Sequence, residues 1–138
     1  MPFIPSRVKY RKAQRGRRKG LAVAGSRVSF GEYGLRALEP AWLKNNQLET
    51  IRVALSRALR REGKYWLRVF SDKPISKKPQ ETRMGKGKGD IAFWVATIRK
   101  GQVVFEIGGV PREYAQEICR NIAHKLSFRT MFVERAHL

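Results

Sequence analysis

The chain has 138 residues, which suits one domain with a single modest core. It carries 30 Lys and Arg against 11 Asp and Glu, a formal charge of +19, so the compact chain repels itself and a polyanion would relieve that repulsion. No apolar run approaches the roughly 20 residues of a membrane-spanning helix, and the single cysteine, Cys119, excludes an intramolecular disulfide and a multi-cysteine metal site.

Residues 1–20 contain Arg7, Lys9, Arg11, Lys12, Arg15, Arg17, Arg18 and Lys19, and the first acid of the chain is Glu32. The stretch has no apolar period, so it reads as a basic arm without a core of its own that orders against phosphates. It is poor in serine and has no amphipathic stripe, which argues against a targeting peptide. Residues 21–138 read as one folded domain.

Residues 28–38 predict a strand, with Val28 and Phe30 alternating before Gly31-Glu32-Tyr33-Gly34-Leu35 bends it. Pro40 and Lys44-Asn45-Asn46 close that segment. Asn46 and Glu49 have the spacing of a capping box, opening a helix that runs to about residue 62. Leu48, Ile51, Leu55, Ala58 and Leu59 fall on one face of it, and Arg57, Arg60 and Arg61 on the other. Gly63 stops the helix. Residues 65–70 are aromatic and β-branched and predict a strand; Ser71-Asp72-Lys73-Pro74 then has turn chemistry.

Arg83-Met84-Gly85-Lys86-Gly87-Lys88-Gly89 follows, between two strands. Alternating glycine removes every second Cβ, so the backbone can bend and approach another surface closely. Each lysine places an ammonium beside unshielded N–H donors, a combination suited to phosphate oxygens. Residues 91–98 are apolar on both faces and predict a central strand. Lys100-Gly101 turns the chain into residues 103–107 as a hairpin. Gly108-Gly109 ends that strand, and Pro111 suits the first turn of a second helix. Ala115, Ile118, Cys119, Ile122, Ala123 and Leu126 form its buried stripe, which makes Cys119 a small core residue. A last strand spans residues 128–133. The expected fold is α+β, with two helices packed on one mixed, mainly antiparallel sheet as an α/β sandwich.

Gly20-Leu21-Ala22-Val23-Ala24-Gly25-Ser26-Arg27 has the glycine spacing of a phosphate-binding loop but lacks its lysine. The glycine–lysine loop fails as a dinucleotide fingerprint, because Asp90 stands where the third glycine belongs. His124 and His137 support neither a ligand pair nor a catalytic triad. No catalytic residue, metal ligand, cofactor, small-molecule substrate or membrane partner is therefore expected.

The most specific stretches are Asp72-Lys73-Pro74-Ile75-Ser76-Lys77-Lys78-Pro79 and the glycine–lysine loop that follows it. Val28-Ser29-Phe30-Gly31-Glu32-Tyr33-Gly34-Leu35, Arg68-Val69-Phe70, Phe105-Glu106-Ile107, His124-Lys125-Leu126 and Arg7-Val8-Lys9-Tyr10-Arg11-Lys12 support them. On these residues nearly the whole chain resembles the family of the bacterial-type large-subunit ribosomal protein sixteen. The resemblance implies a non-catalytic constituent of a cytoplasmic ribosome, an organellar one being the alternative. Implied partners are large-subunit rRNA, neighbouring large-subunit proteins, and A-site and P-site tRNA near the peptidyl-transferase region.

Carried over by position, the tRNA-proximal loop is residues 77–89, with Lys77, Lys78, Arg83, Met84, Gly85, Lys86, Gly87, Lys88 and Gly89 as its named residues. The rRNA-facing set comprises the eight arm cations with Arg27, Arg57, Arg60 and Arg61. The chain departs from the family before the first helix. There the family has a basic, threonine-capped segment, and this chain has Glu39-Pro40-Ala41-Trp42-Leu43-Lys44-Asn45-Asn46.

Overall fold

The computed structural model describes residues 3–80, 83–85 and 87–136. Its elements are β1 (Tyr33–Ala37), β2 (Ala41–Lys44), α1 (Asn45–Ala58), β3 (Lys64–Leu67), β4 (Lys73–Lys77), β5 (Asp90–Ile98), β6 (Val103–Gly108), α2 (Arg112–Ala123) and β7 (Thr130–Glu134). The α+β class is as expected, but the strands form two antiparallel sheets rather than one. One has the order β3-β6-β1-β7, the other β2-β5-β4. Among the described residues the parallel pairing is an isolated bridge between Leu21 and Lys100.

The second sheet arises at Lys100-Gly101. Gly101 makes the expected turn at φ +92°, yet β5 and β6 do not pair as a hairpin. Other segments occupy the backbone groups there. Gly101 N–H donates to Ala37 C=O at 2.8 Å, Ala37 N–H to Gln102 C=O at 2.9 Å, and Val103 N–H to Gly25 C=O at 2.8 Å. The chain therefore leaves β5, the middle strand of one sheet, and enters the interior of the other.

Two strands lie where turns or loops were expected. β2 has four residues, too few for an alternating pattern to show. β4 contains Pro74, which reads as a turn residue; β4 is an edge strand, where the missing N–H of proline does no harm. The expected strand over residues 28–38 shortens to β1, and residues 28–31 lie across the sheet instead of pairing within it.

The core lies between helices and sheets. α1 packs against β2, β3 and β5, and α2 against β1 and β7. Leu48, Ile51, Leu55 and Leu59 of the first helical stretch are buried, as are Ala115, Ile118, Cys119 and Ile122 of α2. They meet Leu35, Phe105 and Ile107 from one sheet and Leu43, Ala96 and Ile98 from the other. Each of the leucine, isoleucine and phenylalanine side chains among them contributes roughly 1.5–3 kcal/mol through burial.

The helix starts differ from expectation by a residue or two. Lys44 is the cap residue of α1, and its N–H donates to Gln47 Oε1 at 3.0 Å, half of a capping box. Asn46 is already inside the helix, and Glu49 pairs with Arg52 instead. Pro111 stands at the cap of α2, just before its first turn.

Every residue of β6 is buried, and one of them is charged. Glu106 points to the sheet face away from the helices. Its Oε1 accepts the N–H groups of Ser29, Phe30 and Gly31 at 2.7, 2.8 and 3.0 Å, and Oε2 pairs with the Arg68 guanidinium. The segment can lie this close because Gly31 and Gly34 lack a Cβ. A Cβ on Gly31 would stand 2.6 Å from Ile107 O, and one on Gly34 3.1 Å from Val28 Cγ2.

Candidate nucleic-acid interface

Among its described residues the arm forms no helix or paired strand before Leu21, yet it is docked. Phe3 packs against the core, so the arm is not wholly without apolar anchorage. Its C=O accepts a hydrogen bond from Ser71 Oγ, a buried hydroxyl. Further along, Lys73 Nζ donates to Arg15 C=O. The Arg18 guanidinium lies 4.8 Å from the centre of the Trp42 ring, and Lys73 Nζ lies 5.4 Å from it. Residues 15–19, Pro40 and Trp42 enclose a groove of about 480 Å³.

Arm and glycine–lysine loop meet directly. Lys12 Nζ donates to Lys88 C=O at 2.9 Å, and Lys88 Nζ donates to Ala13 C=O. Lys78 Nζ donates to Gly85 C=O within the loop. These hydrogen bonds engage carbonyls, which orient an ammonium but do not cancel its charge. Among the described residues the ion pairs are Arg52–Glu49, Arg68–Glu106, Arg112–Glu134 and Arg129–Glu39. None involves the arm or the loop.

The loop glycines have two distinct roles. Gly85 and Gly87 take φ +99° and +94° with open space where a Cβ would stand, so they set backbone conformation at an exposed tip. A Cβ on Gly89 would instead meet Lys77 O at 2.9 Å, so this glycine lets the loop close at its base. Met84 is 98% exposed, and Arg83 and Lys88 are exposed beside it. Lys77 is exposed and Lys78 half-buried. Lys86 lies outside the described residues, as do residues 81–82 and His137.

Of the arm cations, Arg7, Lys9, Arg11, Arg15, Arg17, Arg18 and Lys19 are exposed and Lys12 is half-buried. Arg57, Arg60 and Arg61 are exposed as well, at the end of α1. With Tyr114 of α2 they line a groove of about 610 Å³ that takes no lining residue from the arm or loop. Tyr114 Oη donates to Ala58 C=O at 2.6 Å and fixes that end of the helix. Arg27 is exposed on a third face, beside Arg68, whose Nη1 donates to Arg27 C=O at 3.4 Å. The structure thus unites the arm and the loop, and leaves the helix arginines and Arg27 on separate patches.

Trp42 and Lys73 were not among the expected site residues, although both hold the arm. The signal for Lys73 was its place in Asp72-Lys73-Pro74; Trp42 stood in the stretch that departs from the resembled family. Trp42 Nε1 is buried without a hydrogen-bond partner among the described residues.

Burial acts on the titration of two groups inside the domain. Burial pushes the Cys119 thiol up to about 12, which keeps it an inert core group. Burial also works against the Glu106 charge. Hydrogen bonds from Arg68 and from Gly31, Phe30 and Ser29 outweigh it and hold the carboxyl below its usual range.

No described helix is long and apolar enough to cross a membrane. A family model described as ribosomal protein L16p/L10e matches residues 5–133, which takes in the arm from residue 5, the loop and all nine elements except the last residue of β7.

Proposed function

The chain belongs to the ribosomal protein L16p/L10e family, whose members are structural constituents of the large ribosomal subunit, and from that premise we propose how its surfaces divide the work. The arm, residues 1–20, binds large-subunit rRNA, and the domain of residues 21–138 presents the loop toward tRNA. Arg27, Arg57, Arg60 and Arg61 add rRNA contacts on the other two patches. The loop, with Arg83, Met84, Gly85, Lys86, Gly87 and Lys88 at its tip, lies near A-site and P-site tRNA and the peptidyl-transferase region. The chain is the bacterial-type member of the family.

The observation that carries this reading is the meeting of arm and loop through Lys12, Ala13 and Lys88, in a cationic surface without a described carboxylate partner. Uncompensated cations on one face are what a polyanion requires. Carbonyl hydrogen bonds hold the ammonium groups in place, so less ordering remains when phosphates arrive.

The salt dependence of rRNA binding tests the arm's part. Changing Arg15, Arg17 and Arg18 together to glutamine should weaken binding of the full-length protein to large-subunit rRNA. It should also flatten the plot of log affinity against log salt by roughly 0.7–0.9 for each phosphate no longer neutralised. An unchanged slope would show that these residues do not touch phosphate.

A further inference from the structure

Phe30 is 60% exposed, yet its backbone is tied to the sheet beneath it. Its N–H and those of both neighbours donate to buried Glu106. Val28 is buried on one side of it, and Gly31 is pressed against Ile107 on the other. The ring cannot collapse onto the sheet by a shift of the chain.

The Phe30 ring lies nearly parallel to Trp66, at 23° and 6.4 Å between centroids. The Arg68 guanidinium is 5.0 Å from the Phe30 centroid. Trp66 and Arg68 are two residues apart along one strand direction, so they stand on one face and support the ring from below. The exposed part of Phe30 is then the side of the phenyl ring turned away from the indole and the guanidinium. Cations flank it. Arg27 is exposed three residues before, and exposed Arg135 is held beside Glu32 by a bond from its N–H to Glu32 C=O at 2.7 Å.

We propose that Phe30 is a stacking platform for one unstacked nucleobase of large-subunit rRNA, with Arg27 and Arg135 placed for the flanking phosphates. The proposal rests on the rRNA-binding reading above and adds to it a site of different chemistry. The arm contacts phosphate, which every nucleotide carries. Phe30 offers a rigid π-face, which an unpaired base in a loop or bulge can cover and a base inside a duplex cannot. Glu106 and Arg68 act as positioning residues, because they fix the ring without reaching the base.

The test compares wild-type protein with Phe30→Ala, Phe30→Leu and Phe30→Tyr for binding to large-subunit rRNA across salt concentrations. Melting curves establish that each variant is folded. Alanine and leucine should each weaken binding by roughly 5- to 150-fold, the range expected when one base–aromatic stack is removed. Tyrosine should bind within a few-fold of wild type. The salt slope should stay unchanged in all three, since no charge is removed. Ultraviolet cross-linking of wild-type protein to rRNA, which needs no variant, should place a nucleotide adduct on Phe30. Wild-type affinity in the alanine variant, or full affinity with leucine, overturns the platform while leaving rRNA binding intact. Adducts elsewhere on the protein but none on Phe30 do the same. A wild-type protein that prefers large-subunit rRNA no more than an unrelated RNA overturns both readings.

Discussion

Two regions of this molecule treat positive charge in opposite ways. Arg68 is largely buried and meets Glu106, a fully buried carboxylate that also takes three backbone N–H groups. The arm and loop cations are exposed or half-buried, and the hydrogen bonds of Lys12, Lys78 and Lys88 run to carbonyls of the same chain. The first arrangement neutralises charge inside the fold and fixes where residues 28–31 lie. The second arranges charge without neutralising it, and so leaves it for a partner. A chain with a formal charge of +19 needs both. A few acids are committed to shaping the domain, and the excess of Lys and Arg is held on the surfaces proposed to meet RNA.

The contrast can be broken first at Glu106. Glu106→Ala leaves a buried guanidinium and three N–H groups without their acceptor, and should lower stability by roughly 3–5 kcal/mol in denaturant melts. The sign with pH follows from its lowered pKa. The unfolded carboxyl titrates at about 4.3, above the folded one, so the unfolded state takes up the proton first as pH falls. The contribution is complete above about 4.3 and is lost as pH drops through the lower folded value. Melts of wild type should show this acid-side loss, and Glu106→Gln should flatten it. An unaltered acid limb would mean that Glu106 is not the group being titrated.

Next in size is the apolar face of α1. Leu55 is fully buried, and Leu55→Ala should cost roughly 2–5 kcal/mol. Trp42→Ala tests the arm's dock and should have a smaller effect. It removes two cation–π contacts worth roughly 0.5–1 kcal/mol each. Its clearest readout is faster proteolysis of residues 1–20, with the domain still folded. Equal protection of the arm in the variant would show that Trp42 does not hold it. Arg57→Ala should be the mildest, within about 0.5 kcal/mol in the free protein, because the residue is exposed and away from the core. A larger loss than that of Leu55→Ala would reverse the assigned faces of the helix.

How much of this was legible in the sequence depends on the length and period of each element. Both helices could be read because leucine, isoleucine and alanine recur at helical spacing over three or more turns. β5 could be read because nine consecutive residues lack a polar break at their centre. β2 and β4 could not, since four or five residues hardly establish a period and Pro74 argues locally for a turn. The division into two sheets was hidden for a different reason. It depends on which backbone groups reach the turn at Gly101, and Gly25 and Ala37 are far from it in sequence. The composition of the basic arm and loop was plain, but their contact was not, because a lysine gives no sign of the carbonyl it will find. Glu106 did leave a trace. A single acid within Val103-Val104-Phe105-Glu106-Ile107 is out of place in an apolar strand unless it is paired.

The loop tip is proposed to be a functional surface built on a domain that does not depend on it. Gly85 and Gly87 have positive φ, and beyond their chain neighbours no atom of the described residues lies within 4 Å of a would-be Cβ. Changing both to valine therefore strains the tip without disturbing the body beneath. The decisive measurement is the occupancy of large subunits by the Gly85→Val/Gly87→Val protein, taken by sedimentation, together with tRNA binding by the same particles. Near-normal occupancy with weakened tRNA binding is the result predicted. Normal tRNA binding at full occupancy would contradict the tip's role, and loss of occupancy would move that role to assembly.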